Sequence, residues 1–210
     1  MTFLIFFTPE IILLSFLSIV IVLDLYLDAS KKFYSYMILQ ASLFLTLFFL
    51  FFYHGELINS SYEIYNTSIF STLFKIFLTS LMIIIFHFSY SYLMTFKKYK
   101  SEYFMIMIFA LLGMMVMVSA NHLLILYLGI ELLSLSLYTI IAYNRESVFS
   151  AEAAIKYYIL GAMSSGFLLF GISLMYGLTG SLLYDDIASI IAQMNISSVS
   201  YSTSYIGLIF

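Results

Sequence analysis

Residues 122–143 read HLLILYLGIELLSLSLYTIIAY, and Glu131 is the only Asp, Glu, Lys or Arg among them. A helix needs about 20 predominantly apolar residues to cross the hydrocarbon core of a bilayer. Backbone polar groups in lipid must bond within their own segment, which favours a continuous α-helix. The period-two alternation of a membrane barrel strand is absent. This stretch therefore predicts a membrane-spanning helix with a carboxylate near its middle.

Similar apolar runs occur on both sides of this stretch. Five more complete spans are predicted, at about residues 9–27, 33–53, 73–96, 103–120 and 151–178. Thr8 is expected to cap the first span, with Pro9 at its first helical position. A polar stretch, 181–198, precedes a short apolar segment, 199–210. We predict an all-α integral membrane protein of one domain, residues 1–210: a bundle of six complete transmembrane helices plus the start of a seventh.

The composition supports this class and excludes several others. The 210 residues are 63% hydrophobic and 9% charged, whereas soluble domains carry about 25% charged residues. There is no cysteine, so thiol-ligated metal centres and thiol nucleophiles are excluded. The three histidines lack metal-ligand spacing, and no basic cluster suits nucleic acid. Heavy use of Phe, Tyr and Ile, whose codons are AT-rich, favours an organellar genome as the source.

The basic residues predict the orientation of the bundle. Six of the eight Lys and Arg residues fall in alternate loops between the predicted spans: Lys31, Lys32, Lys97, Lys98, Lys100 and Arg145. The opposite loops contain acidic residues and no Lys or Arg. The positive-inside rule places the basic loops on the matrix or cytoplasmic side. The N-terminus is then expected on the outer side.

Glu131 is the main candidate for a functional residue. A carboxylate at mid-span is costly in lipid, so it should face the bundle interior or a hydrated cavity. Three hydroxyl-bearing residues share its helical face: Tyr127, Ser134 and Tyr138. Such a polar stripe can hold water and carry protons. The alternative is a carboxylate that serves only as a buried structural hydrogen-bonding group.

Two lysines lie within or near spans. Lys156, in the first turns of span six, either approaches Glu131 or pairs on the helix surface with Glu152, four residues earlier. Lys75 is expected to reach the outer interface by extending its side chain. His87, at mid-span three, is more typical of a hydrogen-bonded interior residue than of a relay. Small residues of span six predict close helix packing: Gly161, Ser164, Ser165, Gly166 and Gly171.

Residues 131–181 also carry a family resemblance. The segments ELLSLSLY, AYNR, SAEAAIKYYILGAMSSG and LFGISLMYGLTGS resemble, in order and spacing, the antiporter-like subunit 2 of proton-pumping NADH:ubiquinone oxidoreductase, respiratory complex I. The Pro9–Glu10 pair fits the opening of that family. The similarity is specific over about 50 residues and is otherwise one of topology. It implies a subunit that translocates protons through charged residues buried at mid-membrane, driven by electron transfer in the complex.

By this resemblance, Glu131 matches the family's glutamate of the fifth helix and Lys156 a lysine of the sixth. The family's later lysines lie beyond Phe210. Either a second polypeptide supplies them, as we expect, or the sequence is a truncated part of the subunit. The other expected partners are complex I membrane-arm subunits and lipids. No cofactor is expected here; FMN, iron–sulfur clusters and ubiquinone belong to other subunits. The resemblance implies a mitochondrial inner-membrane, organelle-encoded protein. The alternatives are a plastid-type NAD(P)H dehydrogenase or cation/proton antiporter relative, and a structural brace without a proton path.

Overall fold

The computed structural model describes residues 7–27, 33–52, 61–62, 64–95, 101–144 and 146–193. The described helices, in chain order, are α1 Thr8–Tyr26, α2 Phe33–Phe52, α3 Ile69–Thr95, α4 Ser101–Val118, α5 Leu123–Ile141, α6 Val148–Thr179 and α7 Tyr184–Gln193. Between α2 and α3, the strands β1 Ser61–Tyr62 and β2 Tyr65–Asn66 form a two-stranded antiparallel ribbon.

The predicted all-α membrane fold is confirmed. Within the described ranges, α1 to α6 are long and apolar enough to cross a membrane. Most boundaries lie within three residues of the predicted ones, but α3 begins four residues earlier than predicted. The expected cap at Thr8 is wrong, because Thr8 is itself helical and Phe7 occupies the cap position without a side-chain hydrogen bond. The predicted start of a seventh span lies outside the described residues.

Helix α4 is the centre of the bundle. It contacts α1, α2, α3 and α5. In its apolar membrane-spanning stretch, 56% of α4 is buried inside the protein, against 17% for α5 and for α6. Phe104, Ile108, Leu111 and Met115 on α4 are completely buried. Helix α6, by contrast, packs mainly on α5, and α7 packs on α6. The core therefore lies within α1 to α4, and α5 and α6 extend from one side of it.

We call the end of the bundle at which α1, α3 and α5 begin the outer end, following the predicted orientation. The six basic residues behind that prediction lie outside the described residues. Short backbone bridges join three connections at this end. Tyr65 of the ribbon pairs with Ala120 in the α4–α5 turn, and His122 pairs with Leu183 between α6 and α7. The polar stretch 181–198 includes the short helix α7.

Two expectations about single side chains are wrong. Lys75 does not extend to the interface: its side chain is 2% exposed and forms an ion pair with Glu10. The register of α3 places Lys75 toward α1, where the opposite charge is available. His87 is not an interior residue, because it lies on the exposed surface of α3 with its ring against Phe88.

The backbones of α4 and α5 touch at two glycines. A Cβ atom added at Gly113 would lie 2.8 Å from the carbonyl oxygen of Gly129 and 2.8 Å from the amide nitrogen of Leu133. At Gly129, an added Cβ would meet the side chain of Met117 at 2.6 Å and the Gly113 carbonyl oxygen at 3.0 Å. Small residues of this kind permit close approach of membrane helices.

This contact predicts that Gly113→Ala destabilises the protein. The new methyl group would meet backbone atoms, which cannot move without shifting a helix, so we expect a loss of about 1–3 kcal/mol. The measurement is thermal unfolding in detergent. Gly177→Ala on α6 is the control, since nothing lies within 4 Å of its added Cβ. A Gly113→Ala protein as stable as the Gly177→Ala protein would contradict the prediction.

Candidate functional site

Glu131 lies on α5 at the contact with α6 and is half-buried. The Ser165 hydroxyl of α6 donates a hydrogen bond of 2.8 Å to its Oε2 atom. Tyr127, one turn earlier on α5, interacts electrostatically with the same carboxylate. The carboxylate thus lies among polar groups between two helices. Within the described part of the chain, it forms no ion pair with a lysine or arginine.

Tyr138 closes the half of the α5–α6 contact that lies farther from the outer end. A Cβ atom added at Gly161 would lie 1.7 Å from the Tyr138 hydroxyl oxygen, so the tyrosine occupies the space that the glycine leaves. Edge-on contacts join the Tyr138 ring to Tyr157 and Tyr158 of α6, at centroid distances of 5.0 and 5.7 Å. The Tyr138 ring can take this position because Gly161 has no side chain.

The residues of the polar stripe predicted on α5 are half-buried, and part of the stripe contacts α6. Tyr127, Ser134 and Tyr138 are all half-buried, as is Glu131. Tyr138 packs against α6, while Tyr127 interacts with Glu131. The residues of the stripe therefore share the face of α5 predicted from helical spacing, and their role in carrying protons remains a prediction.

Lys156 is not brought to Glu131. Its ammonium group pairs with Glu152 Oε1 at 2.5 Å, and the two side chains are 70% and 55% exposed. Of the two arrangements considered for Lys156, the structure adopts the surface pair. Both residues lie in the first turns of α6, four residues apart, as a helical ion pair requires. A relay role for Lys156 stays a prediction.

Ser165 was not predicted as a partner of Glu131. The sequence placed it only among the small packing residues of span six. The available signal was its spacing from Gly161: one helical turn apart, the two residues share a face of α6. A close contact at Gly161 would have placed the Ser165 hydroxyl on the face toward α5.

Comparison with known proteins shows which proteins this chain is similar to. A family model described as "NADH:quinone oxidoreductase/Mrp antiporter, TM" matches residues 120–210. NADH-quinone oxidoreductase subunit N of Ruthia magnifica is 43% identical over 206 residues, covering 96% of this chain and 42% of that protein. The subunit N of Thiobacillus denitrificans is 41% identical, covering 87% of this chain and 38% of its own length. The chain is a relative of NADH-quinone oxidoreductase subunit N.

Solved structures support the same fold for this relative of subunit N. A chain of respiratory complex I from Thermus thermophilus superposes with a TM-score of 0.70 at 23% identity, covering 95% of this chain and 43% of that one. A chain of the membrane-bound sulfane sulfur reductase, an archaeal respiratory membrane complex, gives a TM-score of 0.73 at 22% identity, with 98% and 42% coverage. The chain spans about two fifths of the length of these relatives.

The Ser165–Glu131 hydrogen bond predicts that Ser165→Ala destabilises the protein at neutral pH. A hydrogen bond to a charged group contributes about 1.5–3 kcal/mol, and the partial exposure of Glu131 places the expected loss near 1 kcal/mol. Thermal unfolding in detergent measures it. Ser164→Ala is the matched control, because Ser164 is the exposed neighbour on the same helix. Equal stability of the two variants would show that the bond contributes nothing.

Proposed function

We propose that this chain is the N-terminal part of a subunit N-type proton-translocating unit in the membrane arm of a respiratory NADH:quinone oxidoreductase. The observation that carries the proposal is the carboxylate of Glu131, which accepts a hydrogen bond from a hydroxyl donor between two apolar helices and, among the residues that the structure describes, has no ion-pair partner. A structural carboxylate in a bundle is normally paired, whereas a proton carrier must be able to gain and lose its charge. The 43% identity to a subunit N supports the same assignment.

In this proposal, Glu131 binds and releases the transported proton. Ser165 holds the charged form by donating to Oε2. When the carboxyl group is protonated, it can itself donate, and the hydroxyls of Tyr127, Ser134 and Tyr138 offer acceptors along the same face of α5. Lys156 would act as a second charge that moves between Glu152 and the interior as the charge on Glu131 changes.

The remaining parts of the proton path belong to helices outside this sequence. The exposed surfaces of α5 and α6 include large apolar side chains such as Leu128, Leu135 and Phe167. We propose that helices corresponding to the remaining length of the subunit N relatives cover these surfaces. They would carry the lysines that exchange protons with Glu131.

The rest of the assembly is proposed from the same relationship. FMN, iron–sulfur clusters and quinone reduction would lie in other subunits, and the partners of this chain would be membrane-arm subunits and lipids. An organellar inner membrane is supported by the family resemblance and by the heavy use of Phe, Tyr and Ile, while the subunit N relatives in the comparison are bacterial. Fractionation of the source cell separates an organellar location from a plasma-membrane one.

Replacement of Glu131 by Gln tests the proposed function. Glutamine preserves the shape of the side chain and the hydrogen bond from Ser165 but cannot carry a proton. We expect proton pumping per NADH oxidised to fall severalfold in the assembled complex in sealed vesicles. Glu146→Gln is the control, since this exposed acid lies in the α5–α6 connection. Unchanged pumping with Glu131→Gln would favour the structural-brace alternative.

Lys156 is tested by a pair of variants. If Lys156 is a mobile charge of the relay, Lys156→Met should lower pumping, while Glu152→Gln, which only releases the lysine from its surface partner, should preserve it. The pair is highly exposed and contributes about 0.3–0.5 kcal/mol at most, so stability should hardly change in either variant. Wild-type pumping by Lys156→Met would restrict the relay within this chain to Glu131.

A further inference from the structure

A second group of ionisable side chains lies at the outer end, away from Glu131. The Lys75 ammonium lies 2.8 Å from Glu10 Oε1, and it donates a hydrogen bond of 2.8 Å to the Tyr65 hydroxyl oxygen. Tyr65 in turn donates a hydrogen bond of 2.6 Å to the same Glu10 oxygen. The three groups close a ring that joins α1, the ribbon and α3. We call Glu10, Tyr65 and Lys75 the outer clasp.

The outer clasp is sealed from solvent. Tyr65 is 1% exposed, Lys75 2% and Glu10 7%. Burial, and then the negative charge of Glu10, raise the pKa of the Tyr65 hydroxyl well above its ordinary value. Tyr65 therefore remains a proton donor to Glu10. Replacing a buried ion pair with apolar side chains often costs no stability. A contribution to stability therefore does not by itself account for the Lys75–Glu10 ion pair.

Tyr65 connects the clasp to the helix that carries Glu131. While its side chain is held by Glu10 and Lys75, its backbone pairs with Ala120. The flanking bonds are the Asn66 amide to the Ser119 carbonyl, 2.9 Å, and the Asn121 amide to the Ile64 carbonyl, 3.0 Å. His122 follows at once and caps α5 by accepting from the Leu124 amide. Glu131 lies nine residues further along, roughly 13 Å up the helix axis.

Among the described residues, an apolar groove lies between the clasp and the neighbourhood of Glu131. The space between α1, α4 and α5 is an apolar groove of about 550 Å³, lined by Ile11, Phe109 and Leu132 among others. Glu10 borders the groove on α1, and Leu132 is the neighbour of Glu131 on α5. Apolar cavities do not retain water, so this groove is not a proton path. The connection between the two sites is the backbone of the ribbon and the α4–α5 turn.

We propose that the outer clasp is a positioning site for the relay: it anchors the start of α5 through Tyr65 and thereby sets the placement of Glu131 against Ser165. Glu10, Tyr65 and Lys75 carry no transported proton in this role. The proposal rests on the proposed function for its effect on pumping. Its mechanical part, attachment of the ribbon to the α4–α5 turn, does not depend on that function.

The mechanical part is tested by cross-linking Asn66→Cys to Ser119→Cys. Residues opposite each other in an antiparallel pair have Cα atoms about 4.5–5.5 Å apart, within disulfide range, and the chain has no cysteine of its own. With an added oxidant, the pair should cross-link readily in the assembled complex. Adding Glu10→Gln or Tyr65→Phe should slow cross-linking by roughly 2- to 30-fold, the span of long-range coupling energies. Asp185→Asn, an exposed acid at the outer end, should have no effect.

The functional part uses the same cysteine pair. Glu10→Gln should lower pumping per NADH at least about twofold and shift its pH profile, because Glu131 is displaced from Ser165. Closing the Asn66→Cys/Ser119→Cys disulfide should restore both, since the bond replaces the clasp. If the disulfide forms and pumping stays low, Glu10 acts on protons directly and the positioning role is overturned.

The other possible results also distinguish failure of the clasp from failure of the proposed function. Equal cross-linking rates in Glu10→Gln and wild type would overturn the clasp, whatever the pumping result. If Glu10→Gln prevents assembly, Tyr65→Phe removes a single hydroxyl and gives the same readouts. Failure of the proposed function shows itself separately, as unchanged pumping in Glu131→Gln, while clasp-dependent cross-linking would remain.

Discussion

The direct backbone contact between α4 and α5 at Gly113 and Gly129 is the constraint on which the other features depend. Since α4 is also the helix around which α1, α2 and α3 pack, the contact attaches α5 to the best-packed part of the molecule. The opposite face of α5 is then free to receive α6. Glu131 lies on that second face and is consequently presented by a helix whose own position is closely determined.

The structure contains two buried or half-buried acids in very different surroundings. Glu10 has a lysine and a tyrosine on one oxygen, so its charge is neutralised within the protein and it is suited to holding elements together. Glu131 has a serine donor and no lysine or arginine ion pair within the described residues. A group without a fixed counter-charge is sensitive to charges that arrive or leave nearby. This difference in electrostatic environment separates the anchoring role proposed for Glu10 from the transport role proposed for Glu131.

The exposure of α5 and α6 is consistent with the relationship to subunit N. Only 17% of the apolar stretch of either helix is buried inside the protein. The chain spans 42% of the length of the Ruthia magnifica subunit N. A membrane helix can face lipid, but the side of α5 and α6 near Glu131 carries polar groups that lipid does not solvate. Additional helices on this side would place Glu131 in the interior of the protein, where polar groups can solvate its charge.

The sequence by itself determined the membrane class, six of the helices and the mid-span position of Glu131, because long apolar runs in lipid leave the chain only the helical option. It also indicated the face shared by Tyr127, Ser134 and Tyr138, since helical periodicity is local. Only the tertiary structure decided which side chains meet: Lys75 with Glu10 and Tyr65, Ser165 with Glu131, and Lys156 with Glu152 rather than with Glu131. These contacts depend on helix rotation and on the approach permitted by glycines. Both are set by packing between segments distant in sequence, and local hydrophobic patterns do not encode them.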